Sequence, residues 1–388
     1  MLSQQTIDII KSTVPVLEIK GNEITTVFYS NLFRDYPELL NIFNKTNQKK
    51  GRQQNALANT VYAAAANIDR LPVLLPVVKQ IAHKHRSLMV KAEHYPIVGE
   101  YLLKAIKEVL GEAATDEILS AWAEAYGVIA DIFISVEKEM YEASPWEGYK
   151  LFTVSKKVQE SELITSFYLK PVDASKLPVF MPGQYVTVRL TVNGEQYLVN
   201  RQYSLTNEAN DEYYRISVKR EALASNYLHD FVNEGAQIEL TAPAGDFTLD
   251  LEDERPIHFI AGGVGVTPFM SMLHNLANNQ PNRQVTLMHA VKNTKVQAFR
   301  DEIQSLKEIL SNLTIVNYYS EDSEGMPSNS IVGQITEEAL RASITDRDAI
   351  YYICGPVPFM QFVITTLEKL GVKDEQIKYE FFGPSMNI

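Results

Sequence analysis

The feature that most narrows the fold is a change of rhythm at Ser144-Pro145-Trp146-Glu147-Gly148. Before it, apolar residues recur at the spacing of amphipathic helices; after it they alternate, the mark of strands with one buried face. The break therefore reads as a domain boundary. A third pattern begins near Arg255, where strand-like and helix-like runs take turns, as in an α/β domain. At 388 residues the chain holds two or three domains with ample core.

Composition removes several function classes. A net charge of −12, with 45% apolar and 22% charged residues, argues against nucleic acid or an anionic membrane surface as partner. No apolar run approaching about 18 residues is apparent, so no membrane span is expected. The start Met1-Leu2-Ser3-Gln4-Gln5-Thr6 lacks the cationic and apolar parts of a secretion signal, which makes a cytoplasmic location the expectation. Ser3 reads as the N-cap of a first helix. The single cysteine, Cys354, rules out a disulfide framework and thiolate metal clusters.

Residues 1–142 read as helices, with Pro15, Pro37, Pro72, Pro76 and Pro96 near starts and bends. Leu74, Val78 and Ile81 form an apolar stripe that continues to His85 and then Leu88 or Met89. His83 points roughly 200° away. A neutral imidazole on such a face is a natural axial ligand for haem iron, although a lone one is more often a hydrogen-bonded core residue. Ile24, Val27, Phe28, Asn31 and Leu32 flank Tyr29. Gln53, Leu57, Val61 and Ala64 share one face of another helix. Glu137 is in register with Tyr126, Ala130 and Phe133, which turns a carboxylate inward.

The words Phe28-Tyr29, Pro37-Glu38-Leu39-Leu40-Asn41-Ile42-Phe43, Arg52-Gln53-Gln54, Lys84-His85-Arg86-Ser87, Glu93-His94-Tyr95 and Glu124-Ala125-Tyr126-Gly127 resemble a globin, specifically the globin domain of flavohaemoglobins. That resemblance implies an all-α globin domain over 1–143 that binds haem b. It makes His85 the proximal ligand and Phe43 the ring against the haem. Tyr29, Gln53 and Leu57 line the distal side, and Tyr95 and Glu137 lie behind His85. The residue types suit this chemistry. A phenol donor, backed by the Gln53 amide, stabilises charge developing on bound O2 by about 1.5–3 kcal/mol. A carboxylate accepting the second imidazole N–H makes the ring more basic and pushes electrons onto iron.

Period-two strands follow at 152–158, 163–170, 185–190, 197–205 and 213–219, suggesting a small all-β Greek-key barrel over 148–253. Arg201-Gln202-Tyr203-Ser204-Leu205, with Val218-Lys219-Arg220-Glu221 and Ser225-Asn226 after it, resembles the flavin signature of the ferredoxin–NADP+ reductase family. By that resemblance the barrel binds FAD: Arg201 faces the pyrophosphate, Tyr203 lies against the isoalloxazine, Ser204 sits near its reactive nitrogen, and Tyr185 adds a further flavin-side ring. Ser225-Asn226 opens a helix from Tyr227 to Val232 whose free N–H groups suit the diphosphate. Relatives carry a glycine pair here. Glu221-Ala222-Leu223-Ala224 stands in its place and offers fewer left-handed conformations, which leaves the phosphate contacts open.

Residues 254–388 read as an α/β NAD(P)-binding domain with a parallel sheet, its strands at 257–261, 285–290, 313–319, 349–354 and 377–381. After the first strand, Gly262-Gly263-Val264-Gly265-Val266-Thr267-Pro268 lets the backbone approach a pyrophosphate and opens a helix toward its charge. Cys354-Gly355-Pro356 ends a later strand. The resemblance puts Cys354 by the nicotinamide, as a pocket-lining thiol and not a nucleophile, since no paired base is apparent. It also brings Glu380-Phe381-Phe382-Gly383-Pro384 over the flavin and makes Glu380 and Lys84 tune the redox centres. Lys292 and Lys295 either meet the extra phosphate of NADPH or are simply solvated.

Three cofactors on one chain are chemically coherent, because a flavin converts a two-electron donor into single electrons for haem. The resemblance spans the chain and implies a nitric oxide dioxygenase: NO and O2 become nitrate with electrons from NAD(P)H. The expected partners are O2 and NO, with room for a lipid in the distal pocket, no nucleic acid, no integral membrane association, and a monomeric state. Two other readings stay open: an NAD(P)H-dependent ferric, quinone or peroxide reductase, and a haem protein that binds gas or lipid with ancillary reductase activity.

Overall fold

The structure, a computed structural model, describes residues 2–43, 48, 51–321, 324–328, 330–344 and 348–382. By contact density the chain forms two compact units, 1–148 together with 189–201, and 149–188 together with 202–382.

The first unit is built on helices α1 (Gln4–Asp35), α2 (Arg52–Ala66), α3 (Leu75–Ser87), α4 (His94–Leu110) and α5 (Asp116–Glu142). Ser3 caps α1 as expected, its hydroxyl accepting from the Thr6 amide at 3.0 Å. Pro37 and Pro72 open short 3-10 turns, Pro76 and Pro96 lie in the first turns of α3 and α4, but Pro15 falls inside α1 without ending it. Ile10, Ile24, Phe28, Leu32, Leu102, Ile106 and Trp122 form the core. By length and composition alone α5 is apolar enough to cross a membrane, although it contains no unbroken apolar run of that length. Interruption about every two turns by Glu124, Asp131 and Glu137 hides this in a count of unbroken apolar residues. Its Ala121, Trp122, Ala125 and Phe133 are buried against the other helices.

The barrel elements follow in the chain: strands β1 (Tyr149–Gln159), β2 (Ile164–Pro171), β3 (Tyr185–Leu190), β4 (Val199–Ser204) and β5 (Tyr214–Lys219), then helix α6 (Leu223–Phe231) and β6 (Gln237–Thr241). The antiparallel order is β4-β3-β6-β1-β2-β5, and a bridge from Leu205 to Ile216 joins its edges. Strand β6 escaped the sequence reading because Gln237 and Glu239 offer little apolar signal beside Ile238 and Leu240.

The parallel sheet follows: β7 (Ile257–Gly262), α7 (Thr267–Asn279), β8 (Val285–Val291), α8 (Arg300–Ile309), β9 (Leu313–Tyr319), β10 (Ile331–Val332), α9 (Glu337–Ser343), β11 (Ile350–Cys354), α10 (Val357–Lys369) and β12 (Ile377–Glu380). Its order is β10-β9-β8-β7-β11-β12. The chain leaves β7 on one side for β8 and returns on the other as β11. The crevice beyond the carboxyl ends of β7 and β11 is thus the switch point where such sheets take ligands. Every residue of β7 is buried, as a strand covered on both faces requires. Barrel and sheet share one core, in which Ile164, Phe247 and Leu249 meet Ile257, Phe259 and Phe269.

Candidate functional site

His85 lies in the last turn of α3. Its Nδ1 donates to the Glu137 carboxylate at 2.7 Å and lies 3.2 Å from the Tyr95 hydroxyl, which itself donates to Glu137 at 2.6 Å. Glu137 is 2% exposed, so this carboxylate is held by protein donors and not by water. Burial, and then the Glu137 charge, push the Tyr95 phenol far up, keeping its proton in place. With Nδ1 carrying the hydrogen, Nε2 keeps its lone pair, and it has no hydrogen-bond partner among the described residues. An imidazole oriented on one nitrogen and open on the other suits an axial iron ligand. Among the described residues no group of three or more His, Cys, Asp or Glu side chains is placed to hold a metal ion.

The stripe expected on α3 forms in part, with Val78 in a core cluster and Leu74 and Ile81 packed against it. Val78, Ala82, Arg86 and Ser87 are buried, whereas Ile81 and His85 are half-buried, and Leu88 and Met89 lie beyond the helix end. Periodicity alone does not separate an apolar face that meets protein from one left for a cofactor. Lys84 is half-buried beside His85.

On α1, Tyr29 stacks on Phe33 at 5.6 Å and meets the Phe43 ring edge-on at 5.8 Å. Its hydroxyl has no hydrogen-bond partner among the described residues, and burial raises its pKa, leaving a protonated donor. Leu57 packs against the same core. The Gln53 carbonyl accepts from Gln48 Nε2 at 2.7 Å. Gln48, in the segment before α2, carried no signal in the sequence. Phe33 did, through its four-residue spacing from Tyr29.

In β4 the side chains of Arg201, Gln202 and Tyr203 are half-buried between buried Asn200 and Ser204. A guanidinium fork, a phenol ring and a hydroxyl thus occur along one strand, the donor set that a flavin dinucleotide requires. The ring of Tyr185 lies so close to Gly245 that a Cβ there would meet it at 2.9 Å. One expectation changes at α6. The helix starts at Leu223, so Ser225 sits within its first turn, and its hydroxyl accepts from the amides of Glu221 and Ala222 at 3.0 and 2.9 Å. That hydroxyl closes the chain's own turn, while Asn226 is exposed. No residue from Glu221 to Ala224 adopts a positive φ, and Ala222 is extended, so the segment folds without the left-handed conformations a glycine pair would offer.

After β7, Gly263–Val266 form a 3-10 turn and Thr267-Pro268 begin α7, so the free N–H groups of turn and helix lie at the sheet's ligand edge. A Cβ on Gly265 would lie 2.1 Å from the Cys354 carbonyl oxygen, showing that the two motifs touch backbone to backbone. His289, on β8, donates from Nε2 to the Gly263 carbonyl at 3.0 Å; burial pushes its pKa down to about 4, so it is neutral. Cys354 is wholly buried, and burial together with Glu380 pushes its thiol well up. Its backbone carbonyl faces the glycine loop. Glu380 pairs with Cys354 across β11 and β12; Phe381 is buried and Phe382 exposed, while Gly383 and Pro384 lie outside the described residues. Lys292 is paired with Glu321 at 3.1 Å.

Residues 26–133 match the globin family, 151–249 the oxidoreductase FAD-binding domain and 259–365 the oxidoreductase NAD-binding domain. The flavohemoprotein of Bacillus cereus is 53% identical over the whole of both chains. The crystal structure of a flavohemoglobin from Malassezia yamatoensis with bound FAD and heme has a TM-score of 0.90 at 27% identity, covering 98% of this chain and all of that one. The FAD/NAD-binding domain of nitric oxide dioxygenase from Vibrio cholerae is 37% identical, with a TM-score of 0.56 over 61% of this chain and 99% of that one.

Proposed function

The chain belongs to the flavohemoprotein family, and from that premise we propose that it converts nitric oxide and O2 to nitrate, drawing electrons from NAD(P)H through FAD and haem b. The observation that carries the reading is the proximal group: His85 fixed at Nδ1 by Glu137 and Tyr95, with Nε2 open. A protein that only stores a gas has no need of an anionic partner pressing electron density through the imidazole; one that activates O2 does. The name of the Vibrio cholerae relative supports the same activity.

When bound, the nicotinamide supplies two electrons as a hydride, the flavin accepts them together and releases them singly, and the haem iron accepts single electrons. His85 would hold the iron, and Tyr95 and Glu137 keep the imidazole oriented with its hydrogen at Nδ1. Tyr29 keeps its phenol proton and supplies a donor on the distal side, beside Phe43 and Leu57. Gln53, its carbonyl held by Gln48, turns its amide N–H groups free for a second donor. Arg201, Gln202, Tyr203 and Ser204 would hold FAD with Tyr185, and Gly263–Pro268 the dinucleotide. In a cytoplasmic setting these roles amount to NO detoxification.

The test is the stoichiometry of NO consumed to NAD(P)H oxidised in air. Two NO per NAD(P)H is the expected result, since each turnover needs one electron. Undiminished NAD(P)H oxidation with negligible NO loss, persisting in His85→Ala, refutes it in favour of a flavin-driven reductase.

A further inference from the structure

We propose that Arg215, Glu302 and His274 form a positioning clamp that sets the angle of the nicotinamide domain on the flavin barrel, and with it the approach of the dinucleotide to the flavin. The inference rests on the reading of the chain as an NAD(P)H-driven flavoprotein.

Arg215 projects from β5 and is 5% exposed. A guanidinium has five N–H donors, and each of these has an acceptor. Nε donates to the Thr206 hydroxyl at 2.9 Å, and Nη2 to the Thr206 carbonyl. Nη1 and Nη2 grip the two oxygens of Glu302 at 3.0 and 2.7 Å, and Nη1 also lies 3.4 Å from the Tyr168 hydroxyl. The rings of Tyr168 and Phe299 lie 5.8 and 5.5 Å from the guanidinium carbon. Glu302, on α8, receives a further bond from His274 Nε2 of α7 at 2.5 Å. Burial alone would raise the Glu302 carboxyl; the bonds from His274 and Arg215 override it and hold it at about 2.

The backbone is bent to allow this. Phe299, 2% exposed, adopts φ +60 immediately before α8, a left-handed conformation unusual for a bulky side chain. Strain of this kind persists where surrounding structure enforces it, and it concentrates at functional sites. Here it starts α8 with the Phe299 ring against Arg215 and, one turn on, delivers Glu302 to the guanidinium.

What the clamp joins gives it a function. Thr206 stands two residues after Ser204 of the flavin motif. His274 stands on α7, the helix that the glycine loop opens. The other links between barrel and sheet are single bonds or apolar contact: Gly183 N–H donates to Ser271 at 2.9 Å, Glu162 N–H to the Lys295 carbonyl at 2.9 Å, Asn278 Nδ2 to Glu208 at 2.5 Å and the Tyr352 hydroxyl to the Thr248 carbonyl at 3.3 Å, while the shared apolar core holds the two together without direction. A bidentate fork in a plane fixes an angle, which apolar contact does not. Transfer between two bound reactants is steep in geometry, with a misplacement of about 1 Å costing roughly a hundredfold.

The experiment compares wild type, Glu302→Gln and Glu302→Asp as haem- and FAD-replete full chains. It reads three quantities: flavin reduction in stopped flow at saturating NADH, with and without deuterium at the transferred position; NAD+ affinity by calorimetry; and hydrogen exchange of 204–216 and 300–309. Glu302→Gln should exchange faster in both segments and reduce its flavin at least tenfold more slowly, with a larger isotope effect. Its NAD+ affinity should stay within twofold of wild type, and Glu302→Asp should recover part of the rate. Faster exchange with an unchanged reduction rate makes the pair merely structural and overturns the clamp. So does a loss confined to NAD+ affinity. If Glu302→Gln does not accumulate, Glu302→Asp, which withdraws the charge by one methylene, carries the same comparison. A wild-type flavin that NADH fails to reduce overturns the reading beneath the clamp, and the clamp with it.

Discussion

Replacing Glu137 by Gln keeps the shape of the proximal group and removes its charge. The Glu137 Oε1 atom accepts from Tyr95 at 2.6 Å and from His85 at 2.7 Å, lengths typical of bonds to an ionised acceptor. Such bonds contribute about 1.5–3 kcal/mol each and neutral ones about 0.5–1.5. The substitution therefore removes roughly 1–1.5 kcal/mol per bond, about 2–3 in all. At 2% exposure no water replaces the lost charge. Half of that loss, felt at His85, corresponds to about tenfold in iron affinity, and the whole to about a hundredfold. Haem loss to a scavenging apoprotein should accelerate 10- to 100-fold, and the iron–imidazole stretch of the ferrous, ligand-free protein should fall. Glu137→Asp should lie between the two. If Glu137→Gln releases haem at the wild-type rate with an unshifted stretch, the carboxylate exerts no pull on His85 and the reasoning is wrong.

Tyr29→Phe deletes the unpartnered distal donor, so the O2 dissociation rate should rise at least tenfold in flash photolysis; an unchanged rate removes that role from Tyr29. Gly265→Ala would place a Cβ 2.1 Å from the Cys354 carbonyl, forcing two backbones apart. NAD+ affinity should drop at least tenfold while the Soret band is unaltered, and preserved affinity would show that the loop does not carry the dinucleotide. His289, lowered from 6.5 to about 4, takes up a proton on unfolding between those values. Its contribution is fully present above pH 6.5 and is lost as pH falls, at up to about 1.4 kcal/mol per pH unit. His289→Phe should flatten that part of the denaturation profile, and an equal slope in both proteins argues against a buried neutral imidazole. Glu302, lowered from 4.5 to about 2, should add a separate loss only as pH falls below 4.5.

Much of the architecture is legible in the amino-acid order because it is local. Strands Tyr185–Leu190 and Leu313–Tyr319 begin and end where alternation and turn residues put them. Glycines after β7 mark a tight turn wherever the remainder of the chain lies, and Ser3 caps α1 through an amide three residues away. Strand β6 is illegible for the converse reason: flanked by charged and polar side chains, it is a strand only because β1 and β3 pair with it.

Side-chain chemistry divides along the same line. Residue type and helical register nominate His85 and Glu137, and the resemblance to the flavohaemoglobin globin domain adds Tyr95 and Tyr29. Which atoms then meet is a matter of distance between segments far apart in sequence. The 2.7 Å bond from His85 to Glu137 spans 52 residues, and the grip of Arg215 on Glu302 spans 87. No periodicity reports such pairings, and the first of them fixed the imidazole tautomer; the short-range bonds that tie Gln53 to Gln48 and the Ser225 hydroxyl to its own helix start are equally silent in the pattern. Local spacing thus determined which elements form and which residue types they offer, whereas burial and directional bonding between distant segments decided what each of those groups is free to do.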